Sequence, residues 1–445
     1  MSAIVKPKLP RGMRDILPQQ MIHRHYVIDI IQDVFERYGY EPLSTPSVER
    51  HETLTGKYGP DAERMIYSVS RKGGKEKLAL RYDLSVPLSR VMAMYPDLRK
   101  PFKRYQISPV WRGERPGKGR YREFYQCDVD TVGTSSMLAD AELLRITYDV
   151  LSRLGFEQFV MRINDRKILT GIGQFAGVPE ESRGGLYRSI DKLEKVGLEG
   201  VTDELRANQI PEDVIARLLE LLRVTGDNEA ILKKLEERLG DYPVALEGTR
   251  ELREVIAYQS DMGVPADRCQ VDISMVRGLD YYTGPIFETV VEEPRVGSIC
   301  GGGRYDELIG TFSDRSYPAT GISFGIERII EVMEELEMFP PDVGMTNTQV
   351  LVTIFSEDQI ATSLKVSEDL RNSGLNTELY FENDPLGDQI RYALKKSVPY
   401  VIIVGPDETA AGQVTIRNLD LNEQRTVERE TLIGHINDWK GHEEA

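Results

Sequence analysis

Only three cysteines (Cys127, Cys269 and Cys300) occur in 445 residues, too few and too scattered for a disulfide framework or a thiolate zinc site. That usage fits a reducing cytoplasm, the expected location. Long apolar runs are missing: the most apolar stretches, 350–355 and 401–404, are strand-length, far short of the ~20 residues a membrane-spanning helix needs. Residues 1–10 carry charge and proline in place of an apolar segment, so neither a secretory signal nor a membrane partner is expected. A basic excess is also missing. With 56 Lys and Arg against 72 Asp and Glu, the net charge of −16 argues against a protein that coats nucleic acid through bulk charge. No repeat or low-complexity segment is visible. What remains is a chain about three domains long at ~150 residues per domain, with 40% apolar residues to build cores.

Against that acidic background one segment stands out. Residues 99–122 contain nine Lys or Arg (99, 100, 103, 104, 112, 115, 118, 120 and 122) and a single acid, Glu114. A solvated basic face would explain the charge alone. The aromatic residues Tyr105, Trp111, Tyr121, Phe124 and Tyr125 interleaved with it favour binding of phosphates and bases.

Apolar spacing predicts a helix over 17–38, from Ile22, Tyr26, Ile30, Val34 and Tyr38. Strands are expected at 65–69, 78–80, 102–111, 124–132 and 159–163, with a helix at 140–154. Short connections between successive strands suggest an antiparallel sheet. From 169 to 262 strand signals vanish and charged amphipathic helices take over, as at 212–222 and 229–238. Strands return at 271–276, 287–291 and 321–323, so 169–262 reads as a helical insertion in one α+β domain whose halves are 1–168 and 263–340. Pro340-Pro341 and the polar residues that follow mark a linker, 341–348. Beyond it, strands (350–355, 377–381, 400–404, 414–417) alternate with helices (358–372, 386–396), which implies a small α/β domain over 349–445 with a partly parallel sheet.

Four motifs carry chemistry. The first runs from Phe102 through Arg112, Glu114, Arg115, Lys118, Arg120 and Arg122 to Asp130, a strand, a basic glycine-containing loop and a second strand. Strand alternation points Phe124, Gln126, Asp128 and Asp130 to one face. Arg112 could grip a phosphate bidentately, Phe124 could stack on a purine, and Gln126 and Asp130 suit a polar or cationic ligand; a hairpin with an exposed polar face is the plainer alternative. The second, Arg277-Gly-Leu-Asp-Tyr281-Tyr282, is by itself equally a structural hairpin. The third, Cys300-Gly-Gly302-Gly-Arg-Tyr305-Asp, permits close backbone approach to a ligand or merely a tight turn. It is not a phosphate-binding P-loop, because the Gly-Lys-Ser/Thr ending is missing. The fourth, Gly321-Ile-Ser-Phe-Gly-Ile-Glu-Arg328, begins as a small-residue strand and becomes a helix, with Arg328 in the first turn as either a ligand contact or a structural cap.

The first motif closely resembles motif 2 of class II aminoacyl-tRNA synthetases. Its tail Gly-Arg-Tyr-Arg-Glu-Phe-Tyr-Gln-Cys-Asp and the phrase Arg-Gly-Leu-Asp-Tyr-Tyr resemble the histidyl-tRNA synthetase family in particular. The fourth resembles class II motif 3; residues 43–46 resemble the dimer-forming motif 1, and 11–15 (Arg-Gly-Met-Arg-Asp) an N-terminal signature. The resemblance covers nearly the whole chain. It implies an antiparallel class II catalytic domain with a helical insertion, and a C-terminal α/β anticodon-binding domain over 349–445.

The activity it implies is ATP-dependent activation of histidine and transfer to tRNA(His), in a homodimer, with Mg²⁺ bridging the phosphates on protein ligands that the motifs do not identify. By resemblance, Asp83, Ser85, Gln126, Asp130, Arg277, Tyr281, Tyr282, Gly302 and Tyr305 bind histidine. Asp83, in residues 80–90, which resemble the family's acid-bearing strand, takes the α-ammonium, Tyr282 the imidazole, and Gly302 gives room for the ring. Asp83 and Ser85 stand where many bacterial relatives carry glutamate and threonine. Arg112, Glu114, Arg120, Phe124 and Arg328 surround ATP, with Arg112 and Arg277 catalytic at the α-phosphate. Arg115, Lys118 and Arg122 meet the acceptor stem. Two other readings compete. A regulatory subunit of ATP phosphoribosyltransferase reuses this fold but typically lacks the C-terminal domain and degrades the arginine–tyrosine phrase. A prolyl or threonyl synthetase is disfavoured by the histidine-type phrases.

Overall fold

A computed structural model of the chain describes residues 6–443 apart from 57–62, 118, 209, 277–280 and 342. It divides into two compact units, Met1–Asp15 with Val27–Met338 and Ile16–Tyr26 with Phe339–Ala445.

The first unit is built on an eight-stranded sheet. In spatial order its strands are Glu41–Pro42, Phe102–Trp111, Glu123–Val132, Ala319–Gly325, Cys300–Arg304, Pro285–Val290, Val160–Asp165 and Cys269–Val271. The six central strands pair antiparallel, as expected, while the two short edge strands pair parallel to their neighbours. The helix Met137–Arg153 buries Leu143, Leu144, Thr147 and Leu151, and Thr147 lies against Cys300 of the sheet.

Between Val160–Asp165 and Cys269–Val271 the chain forms helices at Arg166–Phe175, Glu180–Ile190, Leu193–Ala207, Glu212–Leu222, Asn228–Leu239 and Pro243–Asp261, with no strand among the described residues. The helical texture read from the sequence is therefore present there. The basic run 99–122 is not a single patch. Arg104 is fully buried against Asp130, Lys103 pairs with Glu142 at 2.7 Å, and Lys100 donates to the carbonyls of Pro96 and Leu98.

Three sequence expectations need correction. The strand expected at 271–276 spans Cys269–Val271 and stops there, because Asp272 Oδ1 accepts from both the backbone N–H and the hydroxyl of Ser274 and turns the chain. The glycine-rich third motif is neither a turn nor a loop but a central strand, Cys300–Arg304. Residues 80–90, read by resemblance as a strand, divide after Leu80 into a loop carrying Asp83 and a helix, Ser85–Met94. Pro87 sits in that helix's first turn, where its missing N–H is harmless, and Asp83 accepts from Val86 N–H at 3.3 Å.

The second unit has a five-stranded sheet in the order Thr377–Leu379, Val350–Val352, Tyr400–Ile403, Gln413–Asn418, Glu423–Glu428. Val350–Val352 pairs parallel with both neighbours and the remaining pairs are antiparallel, which is the partly parallel α/β arrangement expected. Val350, Val352, Ile402, Ile416 and Trp439 form the core on one face; Leu351, Val401, Ile403 and Ala393 form it on the other. Among the described residues no helix is long and apolar enough to cross a membrane.

Candidate active site

The first-motif hairpin positions most of the site. Phe102–Trp111 and Glu123–Val132 pair with Arg104 opposite Asp130, Gln106 opposite Asp128 and Val110 opposite Phe124. On the other side, Ala319–Gly325 sets Gly321 opposite Asp130 and Ser323 opposite Asp128. Phe124, Gln126, Asp128 and Asp130 all line one cavity of about 390 Å³, as their alternation requires.

One wall of that cavity is acidic and aromatic. Asp83, Ser85, Asp128, Asp130, Tyr281, Tyr282 and Tyr305 line it, together with the backbone of Gly301 and Gly302. Asp130 is 2% exposed and is held from two sides, by Arg104 at 2.8 Å and by the Tyr305 hydroxyl, which donates at 2.5 Å. A Cβ on Gly321 would lie 1.9 Å from Asp130 Oδ1, so only glycine lets the carboxylate rest over that strand. Gly302 is constrained in the same way: a Cβ there would meet Gly321 O at 2.0 Å, so its lack of a side chain serves strand packing. The Tyr281 and Tyr282 rings lie 4.7 Å apart, tilted by 46°, and Tyr281 meets Tyr305 edge-on at 5.7 Å. Burial pushes the phenols of Tyr281 and Tyr305 well above their usual range, which keeps both protonated as hydrogen-bond donors. Burial raises Asp128 to about 7 and raises Asp130 too, with Arg104 opposing both shifts.

The other wall is cationic. Arg112 is anchored by its Nε, which donates to Tyr82 O at 2.9 Å, and its guanidinium lies 5.2 Å from the Phe124 ring centre. Arg328, in the first turn of Ile326–Glu335, donates to Ser298 O. Glu114 and Arg120 pair at 3.2 Å and also line the cavity. Glu327 does so as well, and its carboxylate accepts from Tyr125 N–H at 3.2 Å.

Of the residues singled out from sequence, Asp83, Ser85, Arg112, Glu114, Arg120, Phe124, Gln126, Asp130, Tyr281, Tyr282, Gly302, Tyr305 and Arg328 therefore share one cavity. Arg115 is exposed at the hairpin tip and does not line it. Arg122 turns away: its Nε donates to Glu114 O and its backbone N–H to Gly12 O, so it clasps the loop to the 11–15 segment. Arg14 of that segment packs 3.7 Å over the Tyr121 ring. Arg277 and Lys118 lie outside the described residues. Sequence reasoning assigned no role to Asp128, Ser323, Glu327 or Arg104. The alternation of Phe124, Gln126 and Asp130 already pointed at Asp128, whereas no local signal links Ser323 or Arg104 to the site.

Known proteins similar to this chain share a single family. Residues 12–329 match the family model for histidyl-tRNA synthetase, and residues 349–439 match that for an anticodon binding domain. The histidine–tRNA ligase of Cytophaga hutchinsonii is 40% identical over 96% of this chain and 99% of its own length. The crystal structure of histidyl-tRNA synthetase from Nostoc sp. superposes with a TM-score of 0.87 at 34% identity, covering 98% of this chain and 100% of that one. A Bacillus halodurans structure, described as an ATP phosphoribosyltransferase regulatory subunit/histidyl-tRNA synthetase, shares the fold at 22% identity and a TM-score of 0.74, covering 88% of this chain and 97% of that one.

Proposed function

The chain belongs to the histidyl-tRNA synthetase family, and from that premise we propose that it activates histidine with ATP and transfers it to the 3′ end of tRNA(His). The observation that carries this reading is the pairing, in one cavity, of an acid–tyrosine wall with an arginine–phenylalanine wall. The first suits a small cationic amino acid. The second suits a nucleotide triphosphate. Asp83 takes the α-ammonium, Gln126, Asp130 and Tyr282 take the polar edges of histidine, and Tyr281 and Tyr305 close the pocket. A site that pairs each polar atom of its substrate strongly rejects analogues lacking them, so discrimination needs no editing domain.

In the first step a carboxylate oxygen of histidine bonds to the α-phosphorus of ATP, and the bond to the bridging oxygen breaks as pyrophosphate leaves. Positioning and charge neutralisation carry the rate. Arg112 and, by the family resemblance, Arg277 act at the α-phosphate, Phe124 stacks on adenine, and Arg328 takes the far end of the triphosphate, with Arg120 and Glu114 beside it. Glu114 and Glu327, the carboxylates on this wall, are the residues that would hold Mg²⁺ together with the nucleotide, and the ion would supply further charge neutralisation there. In the second step the ribose hydroxyl of the terminal adenosine attacks the histidyl carbonyl and AMP leaves, with a phosphate oxygen of the adenylate as the base we favour. Arg115 and Lys118 serve the acceptor end, Arg122 holding their loop against the N-terminal segment; the second unit serves the anticodon, and the working form is a cytoplasmic homodimer.

Amino-acid-dependent ATP–pyrophosphate exchange with all twenty amino acids tests this reading. Histidine alone should support exchange, and Arg112→Ala and Arg277→Ala should each lower its kcat by roughly 10²–10³. Exchange with a different amino acid would overturn the histidine assignment. Silence with all twenty in folded protein would overturn the enzyme reading.

A further inference from the structure

The Gln126 side-chain amide is clamped by two partners from different strands. Its Nε2 donates to Asp128 Oδ1 at 3.2 Å and to Ser323 Oγ at 3.1 Å. Ser323 sits opposite Asp128 across the strand pair and also hydrogen-bonds its carboxylate. This leaves Gln126 Oε1 buried with no protein partner, on a side chain that lines the cavity. Buried acceptors are nearly always satisfied, and a ligand N–H entering the cavity is the donor this one lacks. The two orientations of the amide are not equivalent. Turned over, Oε1 would face the Asp128 carboxylate, acceptor against acceptor.

We propose that Asp128 is a positioning residue for amino-acid capture: ionised, it locks the Gln126 amide with its carbonyl toward the cavity, where that oxygen accepts an N–H of bound histidine. Protonated, Asp128 becomes a donor itself, favours the turned amide, and presents Nε2 to a ligand that brings only donors at that point. The proposal rests on the histidine reading of the cavity. Asp128 is faced by Asp83, Asp130, Arg104, Arg81 and Tyr305. Among these, burial and the neighbouring acids outweigh the arginines and bring the carboxyl to about 7, so both forms are populated near neutrality.

The test measures histidine affinity, by equilibrium dialysis and as KM in pyrophosphate exchange, between pH 5.5 and 8.5. Wild type, Asp128→Asn, Gln126→Ala and the double variant are compared. The substrate's own imidazole titration is common to all four and cancels in the ratios. Asp128→Asn should bind histidine about ten-fold more weakly at pH 8, the worth of one hydrogen bond, with kcat changed less than KM. It should also lose the extra rise in affinity that wild type shows through pH 7. In the Gln126→Ala background the same substitution should have no further effect. Equal effects in both backgrounds, or a pH step that survives in Asp128→Asn, would overturn the positioning role. If Asp128→Asn does not fold, Gln126→Ala alone decides, because it must abolish the step. Wild type that binds no histidine would overturn the underlying reading, whereas additive effects in an enzyme that does bind it would overturn only the role of Asp128.

Discussion

A carboxylate removed from water and set beside other carboxylates resists ionisation, and Asp128 is such a group, raised to about 7 by burial against the pull of Arg104 and with the push of Asp130. Its effect on stability follows from proton linkage. In the unfolded chain the group titrates near about 3.9, so between that value and 7 the folded state binds more protons than the unfolded one, and stability falls as pH rises through this window. Above 7 the loss is complete. Asp128→Asn keeps the shape and removes the charge, so at pH 8 it should stabilise the protein, by on the order of 1 kcal/mol or more. The gain should shrink as pH is lowered toward 5.5. Urea denaturation midpoints at the two pH values check this, and a variant no more stable than wild type at pH 8 would refute it. The same substitution that weakens histidine capture is thus expected to strengthen the fold, as when a functional site retains a strained charge.

Glycine in a helix usually weakens it, by up to ~1 kcal/mol relative to alanine, yet Gly171 in Arg166–Phe175 is a position where alanine should be worse. A Cβ there would lie 2.4 Å from Ala245 Cβ on Pro243–Asp261, and a Cβ on Gly248 of the latter helix would meet Ile168 at 2.9 Å. The two helices approach through small residues, and overpacking of about 1–3 kcal/mol exceeds the propensity gain. Gly171→Ala should therefore lower the melting temperature, while Gly185→Ala, with nothing within 4 Å of its Cβ, should raise it. Opposite signs in a thermal melt are the expected result; two stabilised variants would show that the helix pair can move apart freely. Such contacts explain which elements were legible in the sequence. Pro18–Arg37 carries its period in its own side chains and Phe102–Trp111 its aromatic and β-branched residues, and each lies within a residue of the expected range. Cys300–Arg304 has three glycines and no period to read. Glu423–Glu428 is a polar edge strand without a buried stripe, and it was missed along with the helix Leu432–Glu443 that follows. The site was legible wherever a motif is contiguous. Asp128 acquired a function only through Ser323, which meets Gln126 from 197 positions away.

At the scale of the molecule, a chain of net charge −16 repels a polyanion at long range, so tRNA must be held by local cations. The structure reduces the candidates in the basic run. Arg104 and Lys103 are committed to acids, Arg112 lines the cavity, and Arg122 clasps the N-terminal segment. Arg115, exposed at the hairpin tip, is a described cation placed to meet a phosphate outside the cavity. Each phosphate contact contributes about 0.7–0.9 to the slope of log affinity against log salt, through release of condensed counterions. Arg115→Ala should therefore weaken tRNA(His) binding most at low salt and make that slope shallower by about this amount. Because the acidic bulk is screened equally in both proteins, the comparison isolates the local contact. Fluorescence titration with the tRNA between 50 and 250 mM salt, a range over which such slopes are about linear, reads the difference directly. Parallel lines for the two proteins would mean that the hairpin tip touches no phosphate and that the acceptor end is gripped elsewhere.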